Sequence, residues 1–99
     1  YCLAAHTLMA KKAGFSGEQI HALRRGEYTE DAHLDALVKF AQTLVTTTGT
    51  LPEADVAALR HAGFSDQQVI EIISAVSAIL FTNMVNRVND TVVDFPKAD

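Results

Sequence analysis

Cysteine occurs only once in this chain of 99 residues. A single thiol cannot close an intrachain disulfide, so a disulfide scaffold is excluded and nothing points to secretion. Positive charge is scarce as well: 8 Lys and Arg stand against 12 Asp and Glu, for a net charge of −4. A nucleic-acid surface needs a basic patch, and the pairs Lys11-Lys12 and Arg24-Arg25 read as solvated helix ends. Strand signals are nearly absent. No sustained alternation of apolar and polar residues occurs, nor any Asn-Gly or Asp-Gly turn. No run of apolar residues is long enough for a membrane span. The most apolar stretch, Val69 to Val85, is interrupted by Glu71, Ser74, Ser77 and Asn83 and falls short of the roughly 20 residues required. Glycine-rich phosphate loops, zinc-ligand spacings and Ser/His/Asp arrangements are also missing.

What is present fits one soluble helical domain. The length suits a single domain. An apolar fraction of 48% with 20% charged residues is ordinary for a folded protein and excludes disorder. The segments follow a helical period, and their ends are punctuated by capping residues. A first helix is under way at Tyr1 and runs to about Ala13. Gly14 stops it, because glycine takes the left-handed C′ conformation without a Cβ penalty. Phe15 follows as an apolar anchor. Ser16 and Gln19 fit a capping box that starts a short second helix, carrying Ile20 and Leu23 and ending near Gly26. Thr29 is the expected cap of a third helix from about Glu30 to Thr46, with an apolar stripe of Leu34, Leu37, Phe40, Ala41, Leu44 and Val45. Thr50 and Glu53 read as a second capping box around Pro52, opening a fourth helix that ends at Ala62-Gly63. Ser65 caps a fifth helix from about Asp66 to Val88. It is apolar almost all round, which makes it either the central core helix or a contact between subunits. The tail after Asn89 reads as irregular.

One phrase recurs. Ala13-Gly14-Phe15-Ser16 returns as Ala62-Gly63-Phe64-Ser65, each with a glutamine three residues after the serine. Each copy reads as helix stop, apolar anchor and helix start. Two readings stand: two similar corners, or two related helical hairpins packed with approximate symmetry. Two copies are too few for a solenoid.

The chemistry concentrates at Cys2 and His6. Four residues apart on a helix, they lie one above the other on the same face, which brings the imidazole of His6 within reach of the sulfur. A cysteine in the first turn also sits where the helix dipole favours a thiolate. The residues alone leave open an inert packed thiol and an activated one. The remaining histidines carry less. His61 suits a helix C-terminus, while His21 and His33 read as surface residues. Glu71 is either an outward charge at a subunit edge or a carboxylate in a proton relay. Asn83, Asn86 and Arg87 close the fifth helix and pair with neighbouring loops.

Tyr1-Cys2-Leu3-Ala4-Ala5-His6, with the corner at Ala13–Ser16, the short helix carrying Ile20 and Leu23, and the apolar fifth helix running into Asn86-Arg87, resembles the AhpD / carboxymuconolactone decarboxylase family. The alkylhydroperoxidase branch carries the signature Cys-x-Tyr-Cys-x-x-Ala-His, matched here at Tyr1, Cys2, Ala5 and His6. The first cysteine of the signature and an upstream glutamate would lie before Tyr1, outside this sequence. The resemblance implies an all-α, AhpD-like bundle of about five helices over residues 1–99, with the family fold continuing upstream. It implies a homo-oligomeric thiol peroxidase; together with the acidic charge, the short apolar run and the missing metal motifs, the expectation is a cytoplasmic protein with no metal or cofactor and no nucleic-acid or membrane partner. Cys2 would be oxidised by a hydroperoxide, and His6 would relay the proton. The upstream cysteine would resolve the sulfenic acid as a disulfide with Cys2, and a protein or small thiol reductant would be the electron donor. Two alternatives stand beside it: the acid–base decarboxylase branch, and a non-catalytic helical oligomer whose thiol merely packs.

Overall fold

The computed structural model describes residues 1–98. Among them the chain is all-α: α1 (Cys2–Lys12), α2 (Gly17–Arg24), α3 (Ala32–Thr47), α4 (Glu53–His61) and α5 (Asp66–Asn89), with no strand. α1 packs on α2, α3 packs on α4, and α5 touches both α1 and α3. The long last helix therefore joins two helical pairs.

The recurring phrase builds the same corner twice. After α1, Gly14 adopts φ 99°. The N–H groups of Gly14 and Phe15 then donate back to the carbonyls of Lys11 and Ala10, each at 3.1 Å. After α4, Gly63 adopts φ 106°, and the N–H groups of Gly63 and Phe64 donate to Arg60 and Leu59 at 3.0 and 3.3 Å. Both are Schellman closures, which satisfy carbonyls that the helix end leaves unpaired. Each corner then starts a helix with a full capping box. The Ser16 hydroxyl accepts from the Gln19 N–H and the Ser65 hydroxyl from the Gln68 N–H, while each glutamine side chain accepts from its serine's N–H. The likeness is local. The first corner folds α2 back onto α1, whereas α4, which leads into the second, packs chiefly on α3. The symmetric-hairpin reading is not what the tertiary packing shows.

Two of the expected helix starts differ. Asp31, not Thr29, caps α3, its carboxylate accepting from the N–H groups of His33 and Leu34 at 2.9 and 3.3 Å. A carboxylate there meets both the unpaired donors and the positive end of the dipole. Pro52 is the N-cap of α4, in extended conformation and without a side-chain cap bond. The Thr50–Glu53 box therefore does not form: Thr50 lies too far outside the helix to serve as its cap.

The larger core lies between α3, α4 and the start of α5. Phe40, Leu59, Phe64 and Val69 are buried there, with Leu37, Leu44 and Ile72 packed around them. Along the α3 stripe Phe40 is the buried member, while Val45 is exposed. Away from this core Ala4, Ala5, Ile20 and Tyr28 are also buried, with Phe15 edge-on to Tyr28 at 6.0 Å. His33 is exposed yet has a structural role that its sequence position does not reveal. Its ring stacks on Phe64 at 4.0 Å, and Nδ1 donates to the Ala62 carbonyl at 2.8 Å, which pins the second corner to α3.

α5 is not the central core helix. Val69 is its one buried residue among those described, and Ile70, Phe81 and Val88 are exposed to 67%, 66% and 90%. Four shorter helices do not supply enough surface to surround a helix of 24 residues. They cover one side of it.

Candidate functional site

The site is built where the start of α1 meets the end of α5. Tyr1 is the N-cap of α1 and makes no side-chain cap bond, so Cys2 occupies the first helical position. Its thiol is free and half-buried. Across the fold, the Asn86 side-chain amide Nδ2 donates to Cys2 Sγ at 3.7 Å. Sulfur is a large, diffuse acceptor, and an amide donor aimed at it stabilises negative charge there. Asn86 is half-buried and stays in place because α5 continues through it for three further residues, to Asn89. The left-handed turn at Asp90, φ 49°, then lets the Thr91 N–H bond the Asn86 carbonyl at 3.1 Å.

His6 stands one helical turn from Cys2, but its ring is tied differently from the sequence expectation. Nδ1 lies 2.9 Å from the main-chain carbonyl oxygen of Cys2, and the hydrogen bond that Sγ accepts comes from Asn86 instead. A carbonyl only accepts, so Nδ1 carries the hydrogen, and in the neutral ring Nε2 is the basic nitrogen. The i, i+4 spacing made both partners available to His6. A main-chain carbonyl oxygen is a stronger acceptor for a ring N–H than a thiol sulfur. The imidazole is exposed and forms part of the wall of an open groove of about 460 Å³ between α1 and α2, which also includes Leu3, Met9, Ile20 and Leu23. Leu3 and Met9 are each half exposed, at 50%, so the groove is largely apolar. A second groove of about 520 Å³ lies around α2 and the loop after it, near Glu18, His21 and Glu30, and does not include Cys2 or His6.

Tyr1 ties the site to the C-terminal tail. Its ring meets Phe95 edge-on at 5.5 Å. Partial burial, then the charge and hydrogen bond of the Asp94 carboxylate, hold its hydroxyl above its ordinary pKa, with a smaller contribution from Cys2. Tyr1 is therefore a neutral phenol near neutral pH.

The other residues singled out in the sequence lie elsewhere. Glu71 is exposed and accepts from Gln67 Nε2 at 3.1 Å. It precedes Asn86 by fifteen residues on one helix, roughly 22 Å, and takes no part in a relay at Cys2. His21 and His61 are exposed on α2 and α4. The Asn86 side chain does not pair with a loop: it is the sulfur's partner, and its role was hidden because nothing in the sequence links a residue on the last helix to one on the first. Comparison with protein-family models, with curated proteins and with solved structures finds no match.

Proposed function

We propose that the chain is a thiol-dependent hydroperoxide reductase of the AhpD-like type, with Cys2 as the reacting group. One observation carries the reading. A half-buried thiol accepts an amide hydrogen bond from Asn86, and a histidine with its Nδ1 already engaged stands one turn away. The amide dipole points its positive end at the sulfur, and the histidine offers a base near it. The apolar groove beside His6 suits the alkyl part of an organic hydroperoxide.

The chemistry balances with a thiol as electron donor. The Cys2 proton leaves to a base, for which Nε2 of His6 is the nearby candidate. The thiolate attacks the distal peroxide oxygen, the O–O bond breaks, and the departing alkoxide takes that proton back as the alcohol. Cys2 becomes a sulfenic acid. A first donor thiol condenses with it, releasing water and leaving a mixed disulfide. A second donor thiol then attacks the disulfide, restoring Cys2 and leaving the donor oxidised.

The test is consumption of cumene hydroperoxide with dithiothreitol as donor, for the natural chain and for Cys2→Ser. The expected outcome is loss of turnover in Cys2→Ser with helical content unchanged, and trapping of a dimedone adduct at Cys2 in the natural chain. Equal peroxide consumption by the two proteins, or no adduct at Cys2 after peroxide treatment, refutes the assignment.

A further inference from the structure

The tail after α5 turns back onto the Cys2 site and grips it from two sides. Asp90 takes the left-handed conformation, φ 49°, which residues other than glycine rarely adopt, aspartate more readily than most. That turn closes α5. The Asp90 and Thr91 N–H groups donate to the Arg87 and Asn86 carbonyls at 3.3 and 3.1 Å, and Asn89 Nδ2 donates to Thr91 Oγ1 at 3.0 Å. Thr91 therefore holds the main chain of the residue whose side chain donates to Cys2 Sγ. Further along, Phe95 meets the ring of Tyr1, and the Asp94 carboxylate accepts the Tyr1 hydroxyl. Tyr1 precedes Cys2 directly and is the N-cap of α1.

These contacts, and not general collapse, hold the tail. Val92 and Val93 are exposed to 82% and 46%, whereas Thr91 and Phe95 are half-buried. A tail held by apolar burial alone would turn its valines inward. Here the residues turned inward are the ones that touch Asn86 and Tyr1. One short segment thus fixes both ends of the Asn86–Cys2 contact. Sulfur is a weak acceptor, so a small drift of the start of α1 away from α5 would lose that bond.

We propose that Asp94 and Phe95 are positioning residues for Cys2: they hold Tyr1, and with it the start of α1, where Asn86 donates to the sulfur. They touch no reacting atom and act through Asn86. Their role deepens the assignment of Cys2 as the reacting group and rests on it. Releasing both holds costs Cys2 the Asn86 bond and no more, so the loss is bounded by that of Asn86→Leu, about 2- to 12-fold in rate.

The test is alkylation of Cys2 by iodoacetamide at pH 7 in the full chain. Asp94→Asn is the reference, because it removes the charge yet keeps an acceptor for the Tyr1 hydroxyl. It is expected to react at least as fast as the natural chain. Asp94→Ala/Phe95→Ala lacks the same charge and both holds, and is expected to react about 2- to 12-fold more slowly than Asp94→Asn. With Asn86→Leu added to each, the two are expected to react at one rate, because the bond through which the tail acts is gone. Helical content is expected to be unchanged, since the tail lies outside every helix. Should the double variant lose helix, Asp94→Ala alone is compared with Asp94→Asn in the same way. Equal rates before Asn86→Leu is added, or the same gap after it, would overturn the proposal. Failure of the peroxidase reading shows differently, as a natural chain that alkylates but turns over no hydroperoxide.

Discussion

Asn86 gives the sharpest test of the site, because it touches the sulfur and belongs to no expected catalytic set. Asn86→Leu keeps the side chain's bulk and removes the donor that lies 3.7 Å from Cys2 Sγ. A hydrogen bond of this kind contributes about 0.5–1.5 kcal/mol net, which corresponds to roughly 2- to 12-fold in rate where the thiolate is the reacting species. Asn86→Asp replaces the donor with a negative charge at a similar distance. Two like charges about 4 Å apart repel by about 1 kcal/mol in water and about 4 kcal/mol near a protein surface, so the aspartate is expected to slow the thiol by roughly 5-fold to several hundredfold. The assay is the pseudo-first-order alkylation of Cys2 by iodoacetamide at pH 7, followed by intact mass, alongside peroxide turnover. The expected order is natural chain fastest, then leucine, then aspartate, in both measurements. The penalty for aspartate should shrink as salt is raised if the site is open to solvent. If all three proteins alkylate at one rate while their melting curves coincide, the amide does not act on the sulfur, and the geometric argument for an activated Cys2 fails.

Two further outcomes test the fold that holds this site. Leu59 is 1% exposed among Phe40, Phe64 and Val69, so Leu59→Ala is expected to cost about 2–5 kcal/mol. That lowers the thermal midpoint by about 4–8 °C for each kcal/mol in a domain this size, and a midpoint unchanged within 2 °C would contradict the assigned core. Asp35 accepts from Lys39 Nζ at 2.6 Å and from the Tyr28 N–H at 2.7 Å. The Lys39 bond first, then the Tyr28 N–H, hold its carboxyl below the usual value. A carboxyl more acidic in the folded chain than in the unfolded one stabilises the fold fully above the unfolded value of about 3.9, and that contribution is lost as the pH falls through the lower folded value. Asp35→Asn is therefore expected to melt earlier at pH 7 and to show a smaller drop in midpoint between pH 5 and pH 2. Parallel curves for the two proteins across that range would refute it.

The corners were legible in the sequence because their physics is local. A glycine at C′, an apolar residue after it, and a serine with a glutamine three positions on satisfy the backbone groups of adjacent helix ends without help from the rest of the chain. The all-α class was legible for the same reason: five apolar periodicities, each bounded by its own stop and start. The starts of α3 and α4 were less so, because Thr29 and Asp31 are both good caps, and only packing and the run of the loop through Tyr28 select between them. The site was half legible. Cys2 and His6 lie within one helical turn, so their neighbourhood follows from spacing. The ring's choice of the Cys2 carbonyl, and the approach of Asn86 to the sulfur, do not.

The sequence by itself therefore determined the helices, the two matched corners and the placing of the lone thiol one helical turn from His6. These depend on backbone hydrogen bonds and dihedral preferences within a few residues of one another. Tertiary structure decided which polar group meets Cys2 and which side of α5 stays uncovered. Both depend on where helices far apart in the chain come to rest, and that is set by a shared core at Leu59, Phe64 and Val69 and by the number of helices available to cover α5. An apolar periodicity states that a face prefers burial. It does not state what buries it, and here the described helices cover only one side.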